Sequence, residues 1–62
     1  MPSITFDIIK LTKEQKEQIV EEFTQSASKI TGIPEESFYV FINEFPEESV
    51  GVGGKLLSDK VI

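Results

Sequence analysis

A proline stands second in the chain, and at the head of a polypeptide that residue type can do chemistry. Once Met1 is removed, Pro2 carries a secondary amine, and its ring fixes φ so that the lone pair is pre-aimed. An ordinary α-amino group titrates near ~7.7–8.0, and apolar burial or a nearby cation lowers that value. A base poised near the working pH is what proton transfer next to a carbonyl requires. While Met1 remains attached, the same nitrogen is a tertiary amide with no basic lone pair, so the chemistry depends on processing. The plainer alternative is a proline at a frayed end, where it costs nothing.

Other candidates are weaker. Asp7 falls on the first strand, on the face opposite Phe6, and either faces solvent or a subunit boundary or takes part in acid–base work. Glu35, Glu36, Glu47 and Glu48 sit in turns and read as solvated charges. Asn43 and Glu44 end the second strand; capping of the following turn is expected over ligand binding. Tyr39 is either a hydrogen-bond donor to a substrate or an aromatic group packed at an interface with its hydroxyl at the edge. Gly51-Val52-Gly53-Gly54-Lys55-Leu56 fails the Walker pattern, because no Ser or Thr follows the lysine. It also fails the dinucleotide fingerprint, because Leu56 stands where a third glycine belongs. A turn with positive φ is the expected meaning.

The elements that must hold these residues are legible from periodicity. Ile4, Phe6 and Ile8 alternate with Thr5 and Asp7, which predicts a half-buried strand over Ser3–Ile9. Pro2 therefore leads directly into a rigid element. Thr12-Lys13-Glu14-Gln15 has the capping-box form and opens a helix whose apolar face is Ile19, Val20, Phe23, Ala27 and Ile30. Gly32 suits the left-handed residue that ends it, and Pro34 prevents continuation. Pro34-Glu35-Glu36 reads as a short turn. Phe38–Glu44 is the second strand, with Phe38, Val40 and Ile42 on one face and Tyr39 and Phe41 on the other. Strand, helix, strand predicts a parallel pair joined by a right-handed crossover. Val50–Gly54 reads as a tight hairpin. Leu56, Leu57, Val61 and Ile62 form an apolar tail expected to pack on a neighbouring subunit.

Composition bounds what these elements can be. The 62 residues make one domain at most, residues 1–62. Such a chain buries only about 60% of its unfolded surface and needs outside support. No cysteine is present to form disulfides and no histidine to hold zinc, so oligomerisation or unusually good packing must supply it. Apolar groups on both faces of the second strand favour oligomerisation. Six lysines against eleven acidic residues leave a net charge of -5, which argues against a nucleic-acid partner. No apolar stretch approaches the ~20 residues of a membrane helix, so a soluble protein with no membrane partner is expected, and the cysteine-free composition fits a reducing, cytoplasmic setting.

Pro2, Glu14-Gln15-Lys16, Ile42-Asn43-Glu44, the Gly51–Leu56 run and Ser58-Asp59, in this order and spacing, resemble the 4-oxalocrotonate tautomerase family. The likeness spans nearly the whole chain, with one short gap before the helix. It implies an α+β fold, a β-α-β unit with a C-terminal hairpin, assembled as a homohexamer (a trimer of dimers). It implies an isomerase that interconverts enol and keto forms of a small unsaturated 2-oxo acid without metal or cofactor. Pro2 matches the family's catalytic proline, the general base and acid. Better-studied members hold the substrate with arginines. One belongs just before the helix, where this chain has Lys10-Leu11, and another on the second strand, where it has Tyr39. An aromatic wall corresponds to Val50. Neither lysine nor tyrosine forks a carboxylate bidentately as arginine does. The resemblance thus offers Lys10 as a replacement cation, Tyr39 as a neutral donor and Val50 as a pocket wall. The alternative function is a non-catalytic oligomeric scaffold, or a small-molecule-binding subunit that keeps the fold without the activity.

Overall fold

The computed structural model describes residues 1–59. Strand β1 spans Ser3–Ile8, helix α1 Lys13–Thr31 and strand β2 Tyr39–Glu44; a short hairpin follows, β3 at Gly51–Val52 and β4 at Lys55–Leu56. β1 and β2 pair in parallel, in a register that sets Ser3 opposite Tyr39, Phe6 opposite Ile42 and Ile8 opposite Glu44. The expected β-α-β unit and terminal hairpin are therefore both present. Val61 and Ile62, the end of the apolar tail, lie outside the described residues.

Each strand is one residue shorter than its apolar pattern. The Phe38 N–H closes a 3-10 turn onto the Glu35 carbonyl and is spent before the ladder begins. At the other end, Phe45 N–H donates to the Ile8 carbonyl, and the chain bends at Ile9.

Helix α1 begins where its cap dictates. The Thr12 hydroxyl accepts from the Gln15 amide, and the Gln15 side chain accepts from the Thr12 amide, at 3.2 and 3.0 Å. Two donors that a helix start leaves unpaired are thereby satisfied reciprocally. The helix stops at Gly32, whose φ of 76° is a left-handed conformation that an L side chain resists.

The helix covers one face of the β1–β2 pair. Ile4, Phe6, Ile8, Val40 and Ile42 point to that side and are half-buried, with Ile19, Phe23 and Ala27 of the helix above them. Phe6 meets Phe23 edge to face at 5.6 Å between ring centroids. Ile30 departs from the expected apolar face: it is 83% exposed, and Val20 is also exposed. A helix of 19 residues is about 28 Å long, whereas a strand of six spans about 20 Å, so the last turn overhangs the sheet. On the other face Tyr39 and Phe41 are 52% and 47% exposed, stacked on each other at 6.4 Å.

The hairpin turns on Gly53 and Gly54, with φ of 62° and 84°, the paired positive values of a two-residue type I′ connection. The Leu57 N–H closes it onto the Val50 carbonyl at 2.7 Å. The hairpin forms its own two-stranded sheet. The molecule is accordingly elongated, with a radius of gyration of 15.1 Å and extents of 44 × 23 × 17 Å. A compact chain of this length would have a radius of about 11 Å. Among the described residues none is fully buried.

One clamp ties helix to strand. Glu44, at the end of β2, accepts the Leu11 N–H at 3.0 Å and pairs with Lys16 of α1 at 2.6 Å. It does not cap the turn that follows it, as its position had suggested, because the chain from Ile9 to Thr12 folds back over the strand end and presents donors there. The Lys16 ammonium, together with the Leu11 amide and the charge of Lys10, holds the Glu44 carboxyl below its ordinary titration range.

Two outcomes follow for stability. Thr12→Ala removes the cap acceptor and is expected to cost about 1 kcal/mol in denaturant unfolding at matched protein concentration. Glu44 titrates lower when folded than when unfolded. Its contribution is therefore complete above the unfolded carboxyl value, about 4.3, and disappears as pH falls through the lower folded value. Melting curves of wild type and Glu44→Gln should converge over that acidic window, while a constant gap at every pH would contradict the assignment.

Candidate active site

The parallel register decides which residues meet. Pro2 is half-buried immediately before β1, and its carbonyl accepts the Tyr39 N–H at 3.1 Å, the first bond of the ladder. Pro2 is thus anchored to structure, and the frayed-end alternative does not describe it. Tyr39 stands beside it at the start of β2, its ring on the open sheet face against Phe41. The structure brings these two expected site residues together.

It separates the other two. Lys10 lies past the far end of β1, a strand of six residues and so about 20 Å from Pro2. Lys10 is exposed there, close enough to Glu44 to act on its titration. Val50 is half-buried at the entry to the hairpin, its carbonyl engaged by Leu57. One chain therefore does not gather Lys10 with Pro2 and Tyr39. Surface grooves along α1 are lined by Leu11, Ile19 and Phe23, or by Val20, Thr24 and Phe38, and none of them includes Pro2.

Two polar residues acquire partners that their own strands did not disclose. Asn43 donates from its side-chain amide to the Asp7 carboxylate at 2.9 Å, across the ladder positions where the two face each other. Asn43 thus spends its amide within the sheet rather than capping the turn after β2. The available signal was positional: each is the fifth residue of its strand, and a parallel pair that starts in step aligns them. Glu44 is the second case, for its neighbours come from the helix and the link before it.

Chemically, the start of the ladder carries Pro2 on one strand and a tyrosine, its ring on the open face, on the other. The Lys10 end offers a cation. Among the described residues no cluster of three or more acidic or histidine side chains could hold a metal ion. No helix among them is long and apolar enough to cross a membrane.

Known proteins share this fold. The family model described as tautomerase enzyme matches residues 2–60. A probable tautomerase of Bacillus cereus is 44% identical over 61 residues, covering 97% of this chain and all of its own. The 2-hydroxymuconate tautomerase of Bacillus subtilis is 40% identical over 60 residues, 95% of this chain and 97% of that one. Among solved structures, YwhB, a homologue of 4-oxalocrotonate tautomerase, superposes with a TM-score of 0.89 at 38% identity, over 97% of this chain and 100% of its own. A match that runs from Pro2 through the hairpin, in sequence and in backbone alike, means that the chain belongs to the tautomerase family of 4-oxalocrotonate type.

Proposed function

We propose that the protein is a tautomerase that interconverts enol and keto forms of a small unsaturated 2-oxo acid, with the Pro2 amine carrying the proton. Family membership supports tautomerase activity in general. The observation that carries the finer reading is the position of Pro2: the family match starts on it, and its carbonyl is locked to β2. After loss of Met1, the neutral amine takes the proton of the enol hydroxyl. The oxygen's electrons form the carbonyl, the conjugated double bond shifts, and the distal carbon takes the proton back from nitrogen. Atoms and charge balance with Pro2 as base and then acid, so the cycle calls for no cofactor.

In this reading Lys10 meets a substrate carboxylate, Tyr39 donates its hydroxyl to the 2-oxo oxygen and Val50 forms an apolar wall. Because Lys10 lies a strand length from Pro2, it reaches the amine of another copy rather than its own. The working unit is accordingly a homo-oligomer, a hexamer built as a trimer of dimers, in the cytoplasm, each copy one domain of residues 1–62. The elongated chain and the exposed Tyr39–Phe41 face support association. The lack of any arginine favours a second reading, a subunit that binds a small molecule or scaffolds an assembly without turnover.

Intact mass of the purified protein should lack Met1. With 2-hydroxymuconate or an enolised 2-oxo acid, Pro2→Ala should lower kcat/KM by at least about 10²-fold, the usual contribution of a positioned acid–base group. Equal rates would leave the binding or scaffold reading. Light scattering at assay concentration should return an assembly, and a lone monomer with full activity would exclude a site shared between copies.

A further inference from the structure

Lys10 rides on a two-residue link, Ile9-Lys10, that is tied to β2 at both ends. Before it, the Ile8 carbonyl accepts the Phe45 N–H at 3.0 Å; after it, the Leu11 N–H donates to Glu44 Oε2 at 3.0 Å. The second tie is not required to start the helix. Leu11 precedes the cap, the capping box already satisfies the Thr12 and Gln15 amides, and Lys16 N–H reaches the Thr12 carbonyl. What the Glu44 carboxylate holds is the link itself.

The same carboxylate also manages charge. Its Oε1 pairs with Lys16 Nζ at 2.6 Å, so the nearer lysine is neutralised in place. Lys10 is exposed and, among the described residues, makes no salt bridge. The result is one cation paired at the surface with Glu44 and one left without an ion-pair partner, among the described residues, on a link tied at both ends.

We propose that Glu44 is a positioning residue for Lys10: by tethering Leu11 and sequestering Lys16, it fixes where the Lys10 ammonium meets a substrate carboxylate. The inference rests on the reading that Lys10 is the substrate cation. Glu44 does not touch substrate, and its loss acts through Lys10. An ordinary exposed ion pair would contribute only to stability, and little to that.

A double-mutant cycle separates the two roles. Binding of cis,cis-muconate, a dicarboxylate that lacks the enol hydroxyl and cannot turn over, is measured by calorimetry for wild type, Glu44→Ala, Lys10→Ala and the double variant. Glu44→Ala should weaken binding about 10-fold in wild type and not at all in the Lys10→Ala background, the non-additivity of residues acting as a unit. Glu44→Gln, whose amide oxygen still accepts the Leu11 N–H, should lose less and guards against a variant that fails to fold. With 2-hydroxymuconate the loss in Glu44→Ala should appear in KM, with kcat held. Additive effects, an unchanged affinity in Glu44→Ala, or no muconate binding by wild type would each overturn the proposal. Pro2→Ala runs alongside: if it turns over 2-hydroxymuconate as fast as wild type, the proton-transfer reading falls while the muconate cycle still decides the role of Glu44.

Discussion

The parallel pairing of β1 with β2 is the constraint from which the remaining geometry follows. A parallel pair cannot be joined by a tight turn, so the intervening chain must cross back over one face, and α1 does so. The in-step register then sorts the polar residues by end. Pro2 and Tyr39 share the start of the ladder, Asp7 and Asn43 bond across its interior, and Lys10 and Glu44 collect at its finish. A shift of one residue would turn the apolar set of β2 away from the helix and dissolve all three associations.

The same pairing leaves the isolated chain under-covered. Two short strands and one helix give a single half-buried layer, centred on Phe6 and Phe23, and the hairpin stands apart as its own small sheet. Large apolar groups remain on the far face, where Tyr39 and Phe41 stack on one another. Folding of so short a chain is a near balance between burial and conformational entropy, and leaving those rings in water forfeits apolar burial. On the proposed reading stability and function are coupled through this shortage, since a second copy that covers the open face would also bring a distant Lys10 to Pro2.

Much of the local structure was legible because it depends on neighbours in sequence. The period-two run Ile4, Phe6, Ile8, the reciprocal Thr12 and Gln15 cap, the left-handed Gly32 and the paired glycines of the hairpin all appear where residue type placed them. Ile30 was misplaced by the same reasoning. Helical periodicity reports the angular face of a residue but not whether a strand lies beneath it, and here α1 outruns the sheet. The apolar ends at Ile9 and Phe38 erred for a related reason: hydrophobic pattern does not reveal where backbone donors are diverted into a bend or a 3-10 turn.

The amino-acid order by itself determined the elements, their caps and the polarity of their faces, since each depends on contacts within a few residues. Only the tertiary structure decided that Tyr39 adjoins Pro2, that Asn43 is spent on Asp7 and that Glu44 serves the helix side rather than the next turn. Those facts join positions more than thirty residues apart. They exist only once two strands have settled into one register, which no local propensity specifies.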